Sequence, residues 1–228
     1  MIQFKKASKA YPNGIHALNE LDLDIWDGEF VYVIGPTGSG KSTLIKLLTG
    51  EEKADSGQVL VNRTDVGALS SRQLPYYRRE VGCVFQDYRL LPGLTVRENI
   101  AFALEVTGAT RQTIRRRVNE VLELVDLKEK ARSYPDELSG GQKQRVAIGR
   151  AIVGRPKVLV CDEPTGNLDP EKSLEILELL NRINEQSGTT IIMVTHDQAL
   201  VDKFRHRTIT LDSGYLTGDL DFGGYRRQ

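Results

Sequence analysis

The stretch "EFVYVIGPTGSGKSTLIKLLTG", residues 29–50, decides how the rest of the chain folds. "EFVYVIG" is a short β-rich run that ends in glycine. "KSTLIKLLTG" has helical spacing at Leu44, Leu47 and Leu48 and is closed by Gly50. Between them, Gly35, Pro36, Thr37, Gly38, Ser39, Gly40, Lys41, Ser42 and Thr43 match G-x-x-x-x-G-K-[ST], with the strand before and the helix after that this pattern requires. Glycines let successive backbone N–H groups converge on phosphate oxygens, and the helix N-terminus adds a favourable dipole. Lys41 is expected to reach the β- and γ-phosphates of a nucleotide, and the Ser42 hydroxyl to ligate Mg²⁺.

The chain is long enough, at 228 residues, to bury a substantial interior. Its 31 basic residues balance 31 acidic ones, so no global charge argues for nucleic acid or anionic lipid. Cys83 and Cys161 sit in apolar runs that read as buried strands. Free thiols in a reducing cytoplasm are the simplest account. "MIQFKKASKA" lacks the apolar region of a signal peptide, and no apolar run approaches the roughly 18 residues that span a bilayer. A soluble protein that meets a membrane through a partner, without inserting itself, is expected.

Outward from the phosphate loop, "MIQFKKA" and "LNELDLDIW" alternate as half-buried antiparallel strands, with Leu21, Leu23 and Ile25 opposite Asp22 and Asp24. "SGQVLVN" and "REVGCVFQ" are further strands, and "SSRQLPYYRR" between them is an ill-defined helix or loop interrupted by Pro75. From Thr95 to Gly154 the character is helical; Ile114, Val118, Val121, Leu122 and Val125 share one face, and Arg115 to Arg117 are expected on a solvated one. Strands return in "KVLVCDEP" and "TTIIMVTH", separated by a helix over 170–186, and end in "RHRTITLDSGYLTG". This alternation implies an α/β fold of parallel β-α-β units, with a helical insertion at about 88–154 and a small antiparallel edge, all in one domain over 1–228.

"VLVCDEPTGNLD" ends a buried strand in two adjacent carboxylates, which strand alternation aims in different directions. Asp162 suits the hydration shell of Mg²⁺, and Glu163 suits a general base for the attacking water. The Gln86 amide is placed to touch metal or water as its backbone joins the core to the insertion. His196 lies at a strand's C-terminal end, where ligands bind in parallel sheets. Tyr11, in a turn near Pro12 and Gly14, is an aromatic face for a nucleobase. "DFGG" at 221–224 is similar to a kinase metal motif, but no catalytic-loop pattern precedes it, and it is read as chance.

A second glycine-rich stretch, "ELSGGQKQRVAIGRAI" at 137–152, places a serine and two glycines before a helix carrying Lys143, Arg145 and Arg150, an arrangement suited to an anion at a helix N-terminus. Taken in order, Tyr11, "GPTGSGKST", Gln86, "LSGGQ", "VLVCDE", "GNLD" and His196 resemble the nucleotide-binding domain of ATP-binding cassette (ABC) ATPases over essentially the whole chain, without departure at these positions. "LSGGQ" is the discriminating motif. The resemblance implies a P-loop NTPase fold with a RecA-like parallel-sheet core, an antiparallel β-subdomain and an α-helical subdomain. It implies Tyr11 as the adenine-stacking aromatic, Gln86 in the Q-loop, Ser139, Gly140, Gly141 and Gln142 in the signature, Asp169 in the D-loop and His196 as the γ-phosphate switch. It further implies ATP and Mg²⁺ as ligands, and a head-to-tail, ATP-dependent homodimer in which each signature faces the partner's nucleotide.

"FQDYRLLPGLTVRENIAFALEV" with "PTGNLD" is similar to a cell-division subgroup of that family. The likeness implies a cytoplasmic, peripheral subunit held to the inner face of the membrane by an integral partner resembling FtsX, and a role in controlling peptidoglycan hydrolases. Leu90, Leu91, Leu94 and Val96, broken by Pro92 and Gly93, are the expected groove for that partner. The alternatives are the ATPase of a lipoprotein-releasing or macrolide-exporting transporter, a nucleotide switch without turnover, and a soluble ATPase acting on nucleic acid. Glu163 and His196 argue against the switch; a single cassette without net positive charge argues against the nucleic-acid role.

Overall fold

The computed structural model describes residues 1–221, so most of the "DFGG" stretch lies outside the described residues. Two sheets organise the chain. The first pairs β1 (Ile2–Ala10), β2 (His16–Ile25), β4 (Ser56–Val61) and β5 (Thr64–Asp65) in the order β2-β1-β4-β5, all antiparallel. The second has six strands, among them β3 (Phe30–Ile34), β6 (Val81–Phe85), β7 (Val158–Asp162), β8 (Thr190–Val194) and β9 (Arg207–Asp212). The remaining strand, β10 (Tyr215–Leu220), completes the order β10-β9-β3-β8-β7-β6. The five strands from β9 to β6 run parallel, and β10 folds back on β9 as a hairpin.

The near-continuous apolar strands are explained by burial of the parallel sheet on both faces. Along β3, Phe30, Tyr32 and Ile34 enter one core while Val31 and Val33 enter the other. The first core lies under α3 (Val96–Glu105), α4 (Arg111–Leu124), α5 (Gly140–Ile152), α6 (Pro170–Ser187) and α7 (Gln198–Lys203). The second is closed by α1 (Lys41–Leu48) and the antiparallel sheet. Cys83 pairs with Val160 and Cys161 with Val84, so the two thiols face opposite cores and both are free.

Helices α3, α4 and α5 all lie between β6 and β7 in the chain. Pro75 opens a short helix, α2 (Leu74–Arg78), at its first turn, where a missing N–H costs nothing. The basic run divides: Arg115 and Arg116 are exposed, whereas Arg117 is mostly covered and donates to the Val153 carbonyl. Its long stem buries while its fork reaches a free carbonyl, which helical spacing alone does not reveal.

The expected groove is also corrected at one position. Val96 is 1% exposed and belongs to the core, because it starts α3 behind the Thr95 capping box. Leu90, Leu91 and Leu94 are half-buried. Asn99, completely buried, holds their loop: its Oδ1 accepts from Leu91 N at 2.8 Å, and its Nδ2 donates to the carbonyls of Leu91, Leu94 and Thr95 at 2.9–3.1 Å. Asn99→Ala leaves the part-buried Leu91 N–H and Leu94 carbonyl without these partners, each worth about 1–3 kcal/mol. The expected loss is at least about 2 kcal/mol by urea denaturation, with protease cleavage gained at 90–95.

Candidate active site

The register of the parallel sheet assembles the site. Val33 pairs with Val194, Val194 with Asp162, and Asp162 with Phe85, so one line crosses the sheet at the C-terminal ends of four strands. One residue beyond that line stand Glu163 after β7 and Gln86 after β6, and two residues beyond it stand His196 after β8 and the start of the phosphate loop after Ile34. Sequence separations of more than a hundred residues disappear at this edge, as expected of ligand sites in open parallel sheets.

Two glycines permit the loop's path. At Gly35 a Cβ would fall 2.0 Å from the Leu211 carbonyl oxygen, and at Gly40, the left-handed cap of α1, 2.3 Å from that of Ala17. No other residue type fits either position. Lys41 curls into the loop, donating to the carbonyls of Gly35 and Pro36 at 2.8 Å and to Ser39 Oγ at 3.4 Å. Burial lowers its pKa, opposed by the charges of Glu163 and Asp162. Pro36, Thr37 and Gly38 are exposed at the loop tip, Ser42 is exposed at the start of α1, and Thr43 is buried. The Tyr11 hydroxyl lies 3.3 Å from Thr43 Oγ1, and its ring is flanked by the ammonium groups of Lys9 and Lys46 at 5.7 and 5.8 Å.

Asp162 is the last residue of β7. Desolvation raises its carboxyl pKa, the Glu163 charge adds to this, and Lys41 and Arg89 oppose it. The direction of Glu163 does not come from strand alternation, as the sequence suggested: the strand has ended, and Glu163 adopts a left-handed backbone at φ 46°. Its N–H donates to the Val194 carbonyl at 3.0 Å, and its Oε1 lies 3.1 Å from His196 Nδ1. Gln86 is exposed and forms a reciprocal pair with Asn167: its Nε2 donates to Asn167 Oδ1 at 3.4 Å, and Asn167 Nδ2 donates to the Gln86 carbonyl at 3.0 Å. Asn167 has no assigned role in the sequence reading, although it stands in "GNLD".

The second glycine-rich stretch stands apart. Ser139 caps α5, its Oγ accepting from Gln142 N at 3.3 Å while Gln142 Oε1 accepts from Ser139 N at 3.0 Å. Gly140 faces Tyr88 and Leu168, and Gly141 faces Lys172. Asp169 caps α6 by accepting from Lys172 N at 2.9 Å. Among the described residues, no hydrogen bond joins 138–142 to the phosphate loop 35–43. Of the basic residues on α5, Arg145 binds Glu175 and the Val125 carbonyl, and Arg150 binds the carbonyls of Tyr88 and Arg89. A helical turn repeats every 3.6 residues, so both guanidinium groups project from the sides of α5 and away from its N-terminus.

Comparison with known proteins assigns this arrangement. The family model described as ABC transporter matches residues 18–166. The chain belongs to the ABC transporter family. A cell-division ATP-binding protein, FtsE, from Bacillus subtilis (strain 168) is 51% identical over 99% of this chain and 98% of its own length. FtsE of Mycobacterium tuberculosis is likewise 51% identical, with the same coverage of both chains. Methionine import ATP-binding protein MetN of Chromohalobacter salexigens is 43% identical over 99% of this chain and 66% of its own length. Among solved structures, a dimeric ATP-binding cassette in a post-hydrolysis state, bound to ADP and Pi, superposes with a TM-score of 0.87 at 36% identity, covering 99% of this chain and all of the other. The ABC cassette is thus an ATPase built on a P-loop α/β core. No helix among the described residues is long and apolar enough to cross a membrane.

Asp162 supplies a test of the site's electrostatics. An acid whose folded pKa is raised weakens the fold above that pKa, because its ionised form is better solvated when unfolded. Asp162→Asn removes that penalty. Its nucleotide-free melting temperature at pH 7 should rise by a few degrees while ATP hydrolysis is lost, and scanning calorimetry with a phosphate-release assay reads both.

Proposed function

We propose that this chain is the ATP-hydrolysing subunit of a membrane complex of the cell-division type, acting as a head-to-tail dimer beneath an integral partner resembling FtsX. The observation that carries the reading is that no hydrogen bond among the described residues joins the signature around Ser139 to the phosphate loop of its own chain, while the rest of the catalytic set converges at one sheet edge. A second copy supplies what each site lacks. The FtsE relatives, matched over nearly their whole length, favour the cell-division role, and control of peptidoglycan hydrolysis is the output this reading assigns. The dimeric cassette at TM-score 0.87 supports the assembly.

In this reading the N–H groups of the loop and the start of α1 take the β- and γ-phosphates of ATP. Lys41 exchanges the carbonyls of Gly35 and Pro36 for phosphate oxygens. Tyr11 stacks on the adenine. The hard oxygen donors of Ser42, Asp162 and Gln86 fit Mg²⁺, which commonly takes one or two carboxylates together with substrate phosphates. When bound, Mg²⁺ neutralises charge on those phosphates. Glu163 accepts a proton from water as the water oxygen attacks the γ-phosphorus and the bond to the β-phosphate bridging oxygen breaks, releasing ADP and phosphate. His196, beside Glu163, orients that carboxylate and meets the γ-phosphate. Ser139, Gly140, Gly141 and Gln142 offer a capped helix N-terminus to the partner's nucleotide, with Asp169 lining the same interface.

Two measurements test this. Glu163→Gln should lower turnover by about 10²–10⁴-fold and accumulate an ATP-bound dimer in size-exclusion chromatography; a purely monomeric variant, with wild type also unmoved by ATP, would sink the sandwich. For the membrane partner, Leu91→Ser with Leu94→Ser should abolish co-purification with an FtsX-like protein while leaving basal hydrolysis unchanged. Cargo movement in reconstituted vesicles would favour a lipoprotein-releasing or macrolide-exporting role instead.

A further inference from the structure

The parallel sheet has a second end, away from the catalytic edge. β7 and β8 run five residues each, from Val158 and Thr190, so at about 3.3 Å per residue their starts lie roughly 16 Å from that edge. Around those starts opens a cleft of about 1230 Å³, above the roughly 300–1,000 Å³ common for sites that take small organic ligands. Three parts of the fold line it: Trp26 and Arg63 at the rim of the antiparallel sheet, Arg117 and Glu120 on α4, and Lys157 and Thr190 in the core. Its charge is lopsided. Arg63, Arg117, Arg155 and Lys157 face it against the carboxylates of Asp27 and Glu120, whereas the chain as a whole is neutral. Asp27 pairs with the Met1 ammonium, and Lys157 meets Glu80 at 3.4 Å. Glu120 holds Arg116 at 3.0 Å and also Arg117, which leaves Arg155 at 3.6 Å. Arg63 is exposed and pairs with no carboxylate among the described residues. Leu124, Ile152 and Ile183 add apolar wall, and Trp26, the chain's one tryptophan, is 57% exposed.

Two of these arginines stand where the backbone favours another residue. Asn62 and Arg63 form the two-residue turn of the β4–β5 hairpin, both left-handed, at φ 49° and 67°. Turns of this kind prefer glycine at the second position, where a side chain is destabilising. Arg155 is left-handed as well, at φ 55°, although it precedes Pro156 and such a position favours extended backbone. Among the described residues nothing offsets that strain at Arg63, and at Arg155 only the shared Glu120 does. We propose that this cleft binds a small aromatic phosphate monoester, its phosphate taken chiefly by Arg63 and Arg155 and its ring lying on Trp26. Two loosely held guanidinium charges match a dianion, which a phosphate monoester approaches at neutral pH and a single carboxylate does not. Their planar forks fit phosphate oxygens two at a time, and the exposed indole offers a face for stacking. No residue of the phosphate loop or of the signature lines the cleft, so this ligand and ATP are bound together. The site depends neither on the dimer nor on the membrane partner.

The test titrates phenyl phosphate into full-length Glu163→Gln protein kept saturated with Mg²⁺ and ATP, so that the phosphate loop is already filled. Trp26 fluorescence reports directly on the cleft, and calorimetry gives the affinity independently. Phenyl phosphate should quench Trp26 saturably. Inorganic phosphate and phenol, each carrying half of the chemistry, should bind at least about tenfold more weakly. Arg63→Gly and Arg155→Gly should each weaken phenyl phosphate by about tenfold or more, yet melt no lower than the parent, because glycine suits a left-handed position. With Glu163 restored, both should hydrolyse ATP at the parent rate. Trp26→Leu, read by calorimetry, should bring the affinity for phenyl phosphate down to that for inorganic phosphate. A parent without saturable quenching overturns the proposal, as does an unchanged affinity when both arginines are replaced. Equal binding of inorganic phosphate removes the aromatic half of the site and overturns it too. Loss of binding together with a lowered melting temperature in both glycine variants makes the arginines structural, and that outcome also overturns it.

Discussion

Everything at the catalytic edge depends on one buried ammonium. Lys41 is withdrawn from water and held by two main-chain carbonyls of the loop it belongs to, beside the carboxylates of Asp162 and Glu163. Desolvating a cation is costly unless oxygens surround it, and here the loop itself provides them. In the proposed function a nucleotide's phosphates replace those carbonyls. The loop is therefore shaped before its ligand arrives, with Gly35 and Gly40 permitting the close passage of Leu211 and Ala17.

The same economy of position governs the acids. Asp162 ends its strand partly buried, where ionisation is disfavoured, while Glu163 turns left-handed and leaves the sheet to meet His196. Two adjacent carboxylates acquire distinct environments from one change in backbone conformation. The pair between Gln86 and Asn167 then joins the neighbouring strand end to the loop that leads toward Asp169.

Much of this was legible in the chain itself. The phosphate loop, the signature and the alternation of apolar strands with helices are local patterns, and local patterns follow from backbone geometry and binary burial. Strand alternation failed for Glu163 because a residue past the strand end no longer obeys a period of two. The expected surface role of Val96 failed for a different reason: it depends on which neighbour covers the helix, and that neighbour is distant in sequence. Asn167 and Asn99 were invisible as functional residues, since a single asparagine carries no periodic signal and its worth lies in what its amide bonds.

The sequence by itself determined which residue types stand in the two glycine-rich stretches and at the strand ends, and those types support the proposed phosphate, metal and water chemistry. Only the tertiary structure decided where they stand. Parallel pairing in register brings Gln86, Asp162 and His196 to one edge, because hydrogen-bonded strands align residues that the chain separates. In the helical insertion, Ser139 caps the helix whose Arg150 binds the turn after Gln86. Side-chain hydrogen bonds to a distant backbone set that connection, and no motif encodes them.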